Sequence, residues 1–143
     1  MEQTTVKDFI TDQINTNYIW SGLYLEHLVK TIKVIAAHGR AVIVGRGADF
    51  ILRPDIRFSV RTVAPMNIRI QNVSSAYGVS ETEAKKRIQK RESRRRRFIK
   101  EAFGGDVENP IHYDMILNTG RLSIEAAAES IVKAAKMNPI RHK

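Results

Sequence analysis

Three short apolar runs, each ending in small or polar residues and separated by helical periodicity, constrain this chain most. Ala41-Val42-Ile43-Val44 leads into Gly45-Arg46-Gly47-Ala48; a second run, Phe58 to Ala64, ends at Pro65; a third, Met115 to Leu117, ends in Asn118-Thr119. The first run is apolar throughout, as expected for a central parallel strand covered on both faces. Strands alternating with helices make an α/β sheet whose ligand crevice lies beyond the strand C-termini. The expected architecture is three-layer α/β/α, with parallel strands at 41–45, 58–64 and 114–119 and helices on either side.

The intervening segments read as helices. Val6, Phe9, Ile10 and Ile14 fit one stripe over 6–17, with a break at Tyr18-Ile19-Trp20. Ser21 is placed to cap a helix bearing Leu23, Tyr24, Leu28, Val29, Ile32, Ile35 and Ala36, and Gly39 can close it in the left-handed conformation. A helical turn is expected at 47–52, and a helix after Pro65 that ends at Gly78. Ser80 and Glu83 are spaced as a capping box, opening a helix that runs to Phe103 and stops at Gly104-Gly105. The stretch 106–113 reads as loop, Ser123 caps a last helix, and Asn138 to Lys143 reads as frayed.

Composition narrows the class. The 143 residues are expected to form one domain, 1–143, and 43% hydrophobic content is ordinary for a globular fold. The formal charge of +9 points to anionic partners, and ten of the 24 Lys and Arg residues fall between Lys85 and Lys100. Cysteine is absent, which excludes a disulfide scaffold and any thiolate-ligated zinc. The four histidines have no partner spacing that suggests a metal site. No run approaches the roughly 18 apolar residues of a membrane span, and the polar N-terminus is unlike a secretory signal. A cytoplasmic location without membrane attachment is expected.

Three segments together resemble the cytidylate kinase-like branch of the nucleoside monophosphate kinases. They are Val42 through Leu52 followed by Val60-Arg61-Thr62-Val63-Ala64-Pro65 and Arg69; Glu83-Ala84 through Glu92, Arg95 and Phe98; and Tyr113 through Thr119 with Leu122-Ser123-Ile124-Glu125. The resemblance implies a phosphate-loop-kinase-like fold and transfer of a phosphoryl group from ATP to CMP. It assigns Arg46, flanked by Gly45 and Gly47, to the acceptor nucleotide, where a guanidinium grips phosphate bidentately. The competing reading of Arg46 is a salt bridge across a tight turn, with the two glycines serving backbone geometry. Glu92 and Arg95 share a helix face, and the resemblance puts them in a mobile lid with Arg91 and Arg94. Glu92 stands where that family usually has Asp. Asn118 and Thr119 resemble a position lining the base pocket, although such residues more often only end a strand. Arg69 matches an arginine on the nucleotide side of the sheet, and Arg61, within a strand, is expected to point to an acidic neighbour.

The donor half of the signature is missing. Phosphoryl transfer needs backbone amides around the phosphates, a lysine and a Mg²⁺-binding hydroxyl, yet no G-x-x-x-x-G-K-[ST] occurs. The expectation is a chain inactive on its own, with no catalytic residue and no cofactor, using ATP and Mg²⁺ only if another segment or chain supplies that loop. In the resembling family the loop's strand lies between the strands corresponding to 41–45 and 58–64. Those two are therefore expected to pair directly, or a homo-oligomer or partner chain to cover the open edge. Three readings compete: a remnant or fragment of such a kinase that binds a mononucleotide or another phosphate anion; a nucleic-acid-binding module using the 85–100 helix; and an interaction protein docking that helix on an acidic partner. No aromatic residues interleave with the arginines, as single-strand readers usually need.

Overall fold

The computed structural model describes residues 22–137, so the helix expected at 6–17, the break at Tyr18 to Trp20, the Ser21 cap and the C-terminal fraying lie outside the described residues. Two compact units are present, Met1–Arg46 and Gly47–Lys143. In the first, helix α1 spans Gly22–His38 and buries Ile32. It stops as expected: Gly39 takes φ 68° and its N–H donates to the Ala36 carbonyl.

The second unit follows the helix–strand order read from the sequence. Its elements are α2 (Ala48–Ile51), β1 (Val60–Val63), α3 (Met66–Tyr77), α4 (Glu81–Phe103), β2 (Met115–Asn118) and α5 (Ile124–Met137), with short 3-10 turns at Pro54–Ile56 and Pro110–His112. Strands β1 and β2 pair in parallel, Val60 opposite Met115 and Val63 opposite Asn118. A parallel pair needs a long crossover, and the hairpin of α3 and α4 is that crossover. Gly78, at φ 62°, ends α3. Ser80 then caps α4, its hydroxyl accepting from the Glu83 N–H. The capping box is only half formed, because the Glu83 carboxylate turns one helical turn forward to Arg87.

The α/β class with a parallel sheet and flanking helices is what the chain adopts, but the sheet has two strands among the described residues. The expected strand at 41–45 forms no ladder: residues 41–44 carry no regular structure, and Val42 and Val44 are 94% and 87% exposed. A strand is defined by its neighbour's hydrogen bonds, and apolar composition cannot supply a neighbour. Direct pairing of this run with β1 is likewise not observed; β2 takes one edge of β1, and no strand among the described residues takes the other.

The core of the second unit gathers Ala48, Ala84, Ile88, Ile99, Val107, Tyr113, Leu117 and Ala127. A polar knot ties α2 to both strands. Ser59, 2% exposed, donates from its hydroxyl to Asp49 Oδ1 at 2.5 Å and from its backbone N–H to Asp114 Oδ2 at 2.6 Å. The Ser59 carbonyl accepts from the N–H groups of Asp114 and Met115. Arg57 completes the knot, 3.8 Å from Asp49 and donating to the Leu52 carbonyl.

Candidate anion-binding site

Helix α4 is amphipathic because a few small and apolar residues recur at helical spacing within a charged sequence. Ala84, Ile88 and Ile99 are buried, and at 3.6 residues per turn Glu92 and Arg95 fall on that same stripe. The four residues assigned to the lid therefore divide. Glu92, half-buried, and Arg95, exposed, share the azimuth of the buried stripe, Arg91 lies on its flank, and Arg94 lies toward the outer face with Lys90.

Glu92 is already engaged, accepting from Arg69 Nη2 of α3 at 2.5 Å across the helical hairpin. That pair accounts for both residues in the absence of ligand. Arg95 has no carboxylate or other hydrogen-bond partner among the described residues, and its charge is felt at Tyr113. Arg61 lies there too. It was expected to answer an acidic neighbour, but its Nη1 donates to the Val107 carbonyl at 2.6 Å and its guanidinium sits over the Tyr113 ring, 5.6 Å from the centroid. The Tyr113 hydroxyl donates to that same carbonyl at 2.7 Å. Burial pushes the Tyr113 phenol above its ordinary pKa, with Asp49 and Asp106 adding to the rise and Arg95 and Arg61 opposing it. The result is one guanidinium over a neutral phenol, with the charge of a second, Arg95, reaching it, a place suited to receive negative charge.

Arg46 closes the first unit. It is exposed, takes φ 59°, and has no acidic partner among the described residues, so the salt bridge across the turn is not formed. Its neighbours Gly45 and Gly47 also have positive φ, 74° and 70°. Gly47 has a packing role as well: a Cβ there would lie 2.6 Å from Phe103 Cε2.

Asn118 and Thr119 serve the backbone. Asn118 Oδ1 accepts from the Gly120 N–H, and both the N–H and hydroxyl of Thr119 donate to the Val63 carbonyl. The sequence reading missed the Ser59 knot and the Tyr113–Arg61 stack. A buried serine has no sequence signature, and Tyr113 drew notice only as part of a motif. No helix among the described residues is long and apolar enough to cross a membrane.

Comparison with known proteins gives the family. The sequence model of the cytidylate kinase-like family matches residues 2–121. The cytidylate kinase of Methanopyrus kandleri is 33% identical over 109 residues, covering 70% of this chain and 56% of that protein. The cytidylate kinase of Pyrococcus horikoshii is 33% identical over 100 residues, 70% of this chain and 51% of that protein. A more distant one, from Methanocaldococcus jannaschii, is 20% identical over 161 residues, 92% of this chain and 89% of that protein. The chain thus spans about half the length of the first two relatives. With most of its length matched by one family model and its strand–helix order in accord, the chain belongs to the cytidylate kinase-like family.

Proposed function

We propose that this chain is the acceptor-nucleotide part of a cytidylate kinase-like phosphotransferase, binding the phosphate of a nucleoside monophosphate and transferring nothing by itself. The observation that carries this reading is Arg95: an exposed guanidinium at the helical spacing of Ala84, Ile88 and Ile99, whose charge reaches Tyr113, the ring that Arg61 covers, and which has no ion-pair partner among the described residues. An arginine so placed gains most from a partner that brings its own charge, and a phosphate accepts two parallel N–H bonds from it. Arg69 and Glu92 stand one helical turn away; an incoming nucleotide would compete with Glu92 for Arg69 or use the carboxylate for its sugar. By resemblance Arg46, with Gly45 and Gly47, is also assigned to phosphate in this reading, Arg91 and Arg94 are the more peripheral lid cations, and Asn118 and Thr119 the edge of the base pocket.

The absence of G-x-x-x-x-G-K-[ST] from the sequence supports the lack of intrinsic activity. The free edge of β1 supports a complementary reading, in which a further strand carrying the donor loop comes from another segment or chain. A two-stranded sheet is a weak unit, and a third strand would strengthen it. In that case the chain is a fragment or subunit of an active enzyme, and ATP and Mg²⁺ enter with the added strand.

Calorimetric titration with CMP, dCMP and AMP tests the binding. We expect a pyrimidine monophosphate to bind and Arg95→Gln to weaken it about tenfold or more, the loss of a charge-assisted bond worth roughly 1.5–3 kcal/mol. No heat from any mononucleotide at millimolar concentration ends this reading. A coupled ATPase assay on the chain alone should stay at background, and turnover there would overturn the inactivity. Coding sequence adjoining this chain in frame with a glycine-rich loop would decide for the fragment.

A further inference from the structure

The outer face of α4 holds a second feature, which shares only Arg94 with the proposed nucleotide site. The segment Lys85–Lys100 contains ten basic residues and one acid, Glu92, leaving 14 basic and 14 acidic residues elsewhere. The formal charge of the whole chain, +9, therefore resides on this one stretch. Ion pairs neutralise part of it: Arg87 with Glu83, Arg96 with Glu108, and Arg97 with Glu101. Lys86, Lys90 and Arg94 have no such partner among the described residues, and all three are exposed. They follow one another every four residues, so they line one side of the helix about 6 Å apart. Arg97 extends the row to about 16 Å. Charges this close are not screened from one another at physiological salt, where the Debye length is about 8 Å, and like charges one turn apart repel.

We propose that this row is a docking surface for the phosphate backbone of a single-stranded nucleic acid, bound without sequence preference. The composition of the face selects this partner over a protein. Around Lys86 and Lys90 the outer face presents Glu83, whose carboxylate feels both lysines, with Ser93, Arg94, Arg97 and Glu101, and no apolar residue. Protein interfaces are built on an apolar core with charge depleted at the centre; this face has nothing of that kind to bury. A polyphosphate backbone needs only a row of cations, and gains by releasing its condensed counterions. The face carries no aromatic side chain for the base stacking that single-strand readers usually add to a basic groove, so the contact proposed is to the backbone phosphates alone. Lys86 and Lys90 face away from Arg95, and Arg94, at the edge of this face, is the one residue shared with the proposed lid.

The test uses the full chain and a fluorescein-labelled oligouridylate, followed by fluorescence anisotropy over a range of NaCl concentrations. The variant replaces Lys86, Lys90 and Arg94 with Gln, which keeps helix propensity close to that of Lys and Arg; circular dichroism verifies that α4 persists. A control replaces three exposed lysines elsewhere, Lys30, Lys33 and Lys133, with Gln, so that net charge falls equally. We expect the slope of log K against log salt to drop by about 2 in the α4 variant, from ~0.7 per lost phosphate contact on a single strand, and to change little in the control. Equal loss in both variants would assign the effect to bulk charge and overturn the proposal. So would the absence of binding at the lowest salt, or preferential binding to phosphatidylglycerol vesicles that the oligouridylate fails to displace.

Discussion

Replacing Gly47 with alanine separates the packing role of the glycine-arginine turn from its role as a phosphate contact. Gly47 has φ 70°, and an added Cβ would lie 2.6 Å from Phe103 Cε2, 3.3 Å from Phe103 Cζ and 3.2 Å from Ile99 Cδ1. The Phe103 ring would have to retreat by nearly 1 Å to reach ordinary contact. It is poorly placed to do so, being stacked on Phe50 at 6.2 Å and set edge-on to Phe98 at 5.6 Å. Two costs follow: about 1–2 kcal/mol for an L-residue in left-handed backbone, and about 1–3 kcal/mol for overpacking a tight contact. Gly45→Ala is the internal reference. Its φ is 74°, yet nothing lies within 4 Å of the added methyl, so only the backbone cost applies. Urea unfolding should therefore show Gly47→Ala less stable than Gly45→Ala by about 1–3 kcal/mol with an unchanged slope, a midpoint difference of roughly 1 M. Phe103→Leu in the Gly47→Ala background should recover part of the loss, as expected for residues in contact. If the two alanine variants unfold at the same midpoint, Gly47 does not hold this turn against α4 and the packing argument is wrong.

Two further outcomes follow from buried groups. Ser59→Ala removes the donor to Asp49 and should cost about 1.5–3 kcal/mol, the usual worth of a hydrogen bond to a charged group; an unaltered urea midpoint would mean that the knot joining α2 to the strands contributes nothing. Tyr113 governs the alkaline limit. Its pKa in the folded chain is raised above the ordinary value of 10.0, chiefly by burial. The neutral phenol is thus favoured by folding, and its contribution is complete below about pH 10 and is lost as pH rises through the folded value. Phenolate absorbance should show one tyrosine ionising late, together with loss of helicity, and Tyr113→Phe should abolish that step; early ionisation of all the tyrosines would refute it.

What the sequence revealed, and what it withheld, divides along the range of the interactions involved. The helix stops at Gly39, Gly78 and Gly104 were readable because each depends on a left-handed residue next to a periodic run. Ser80 was readable for the same local reason, while the Glu83 half failed because Arg87, also local, offers a charge-assisted bond where the Ser80 amide offers a neutral one. The run at 41–44 misled because its composition suits a buried strand but its pairing depends on a neighbour remote in sequence. At the site, shared face placed Glu92 with Arg95 correctly. Periodicity did not show that Glu92 is taken by Arg69, since that bond requires α3 and α4 to fold back on each other. Nor did the sequence show that Arg61 would meet a carbonyl: Val107 lies in a loop whose course is fixed by Asn109 capping the Pro110 turn and by the Tyr113 hydroxyl.

The stability of α4 has an origin that bears on both proposals. A helix of 23 residues that buries only Ala84, Ile88 and Ile99 gains little from burial along its length. Its ends are held by Ser80 and by Gly104, whose N–H returns to the Ile99 and Lys100 carbonyls. Its middle is held by Arg69–Glu92 and by the Arg96–Glu108 pair to the following loop. None of these contacts engages Lys86, Lys90, Arg94 or Arg95, all four of them exposed and without an ion-pair partner among the described residues. Replacing those cations with neutral residues of equal helix propensity would ease repulsion and cost the fold little. Their presence is therefore not explained by what holds this helix together, and an anion met from outside the chain is what the two proposals put to the test.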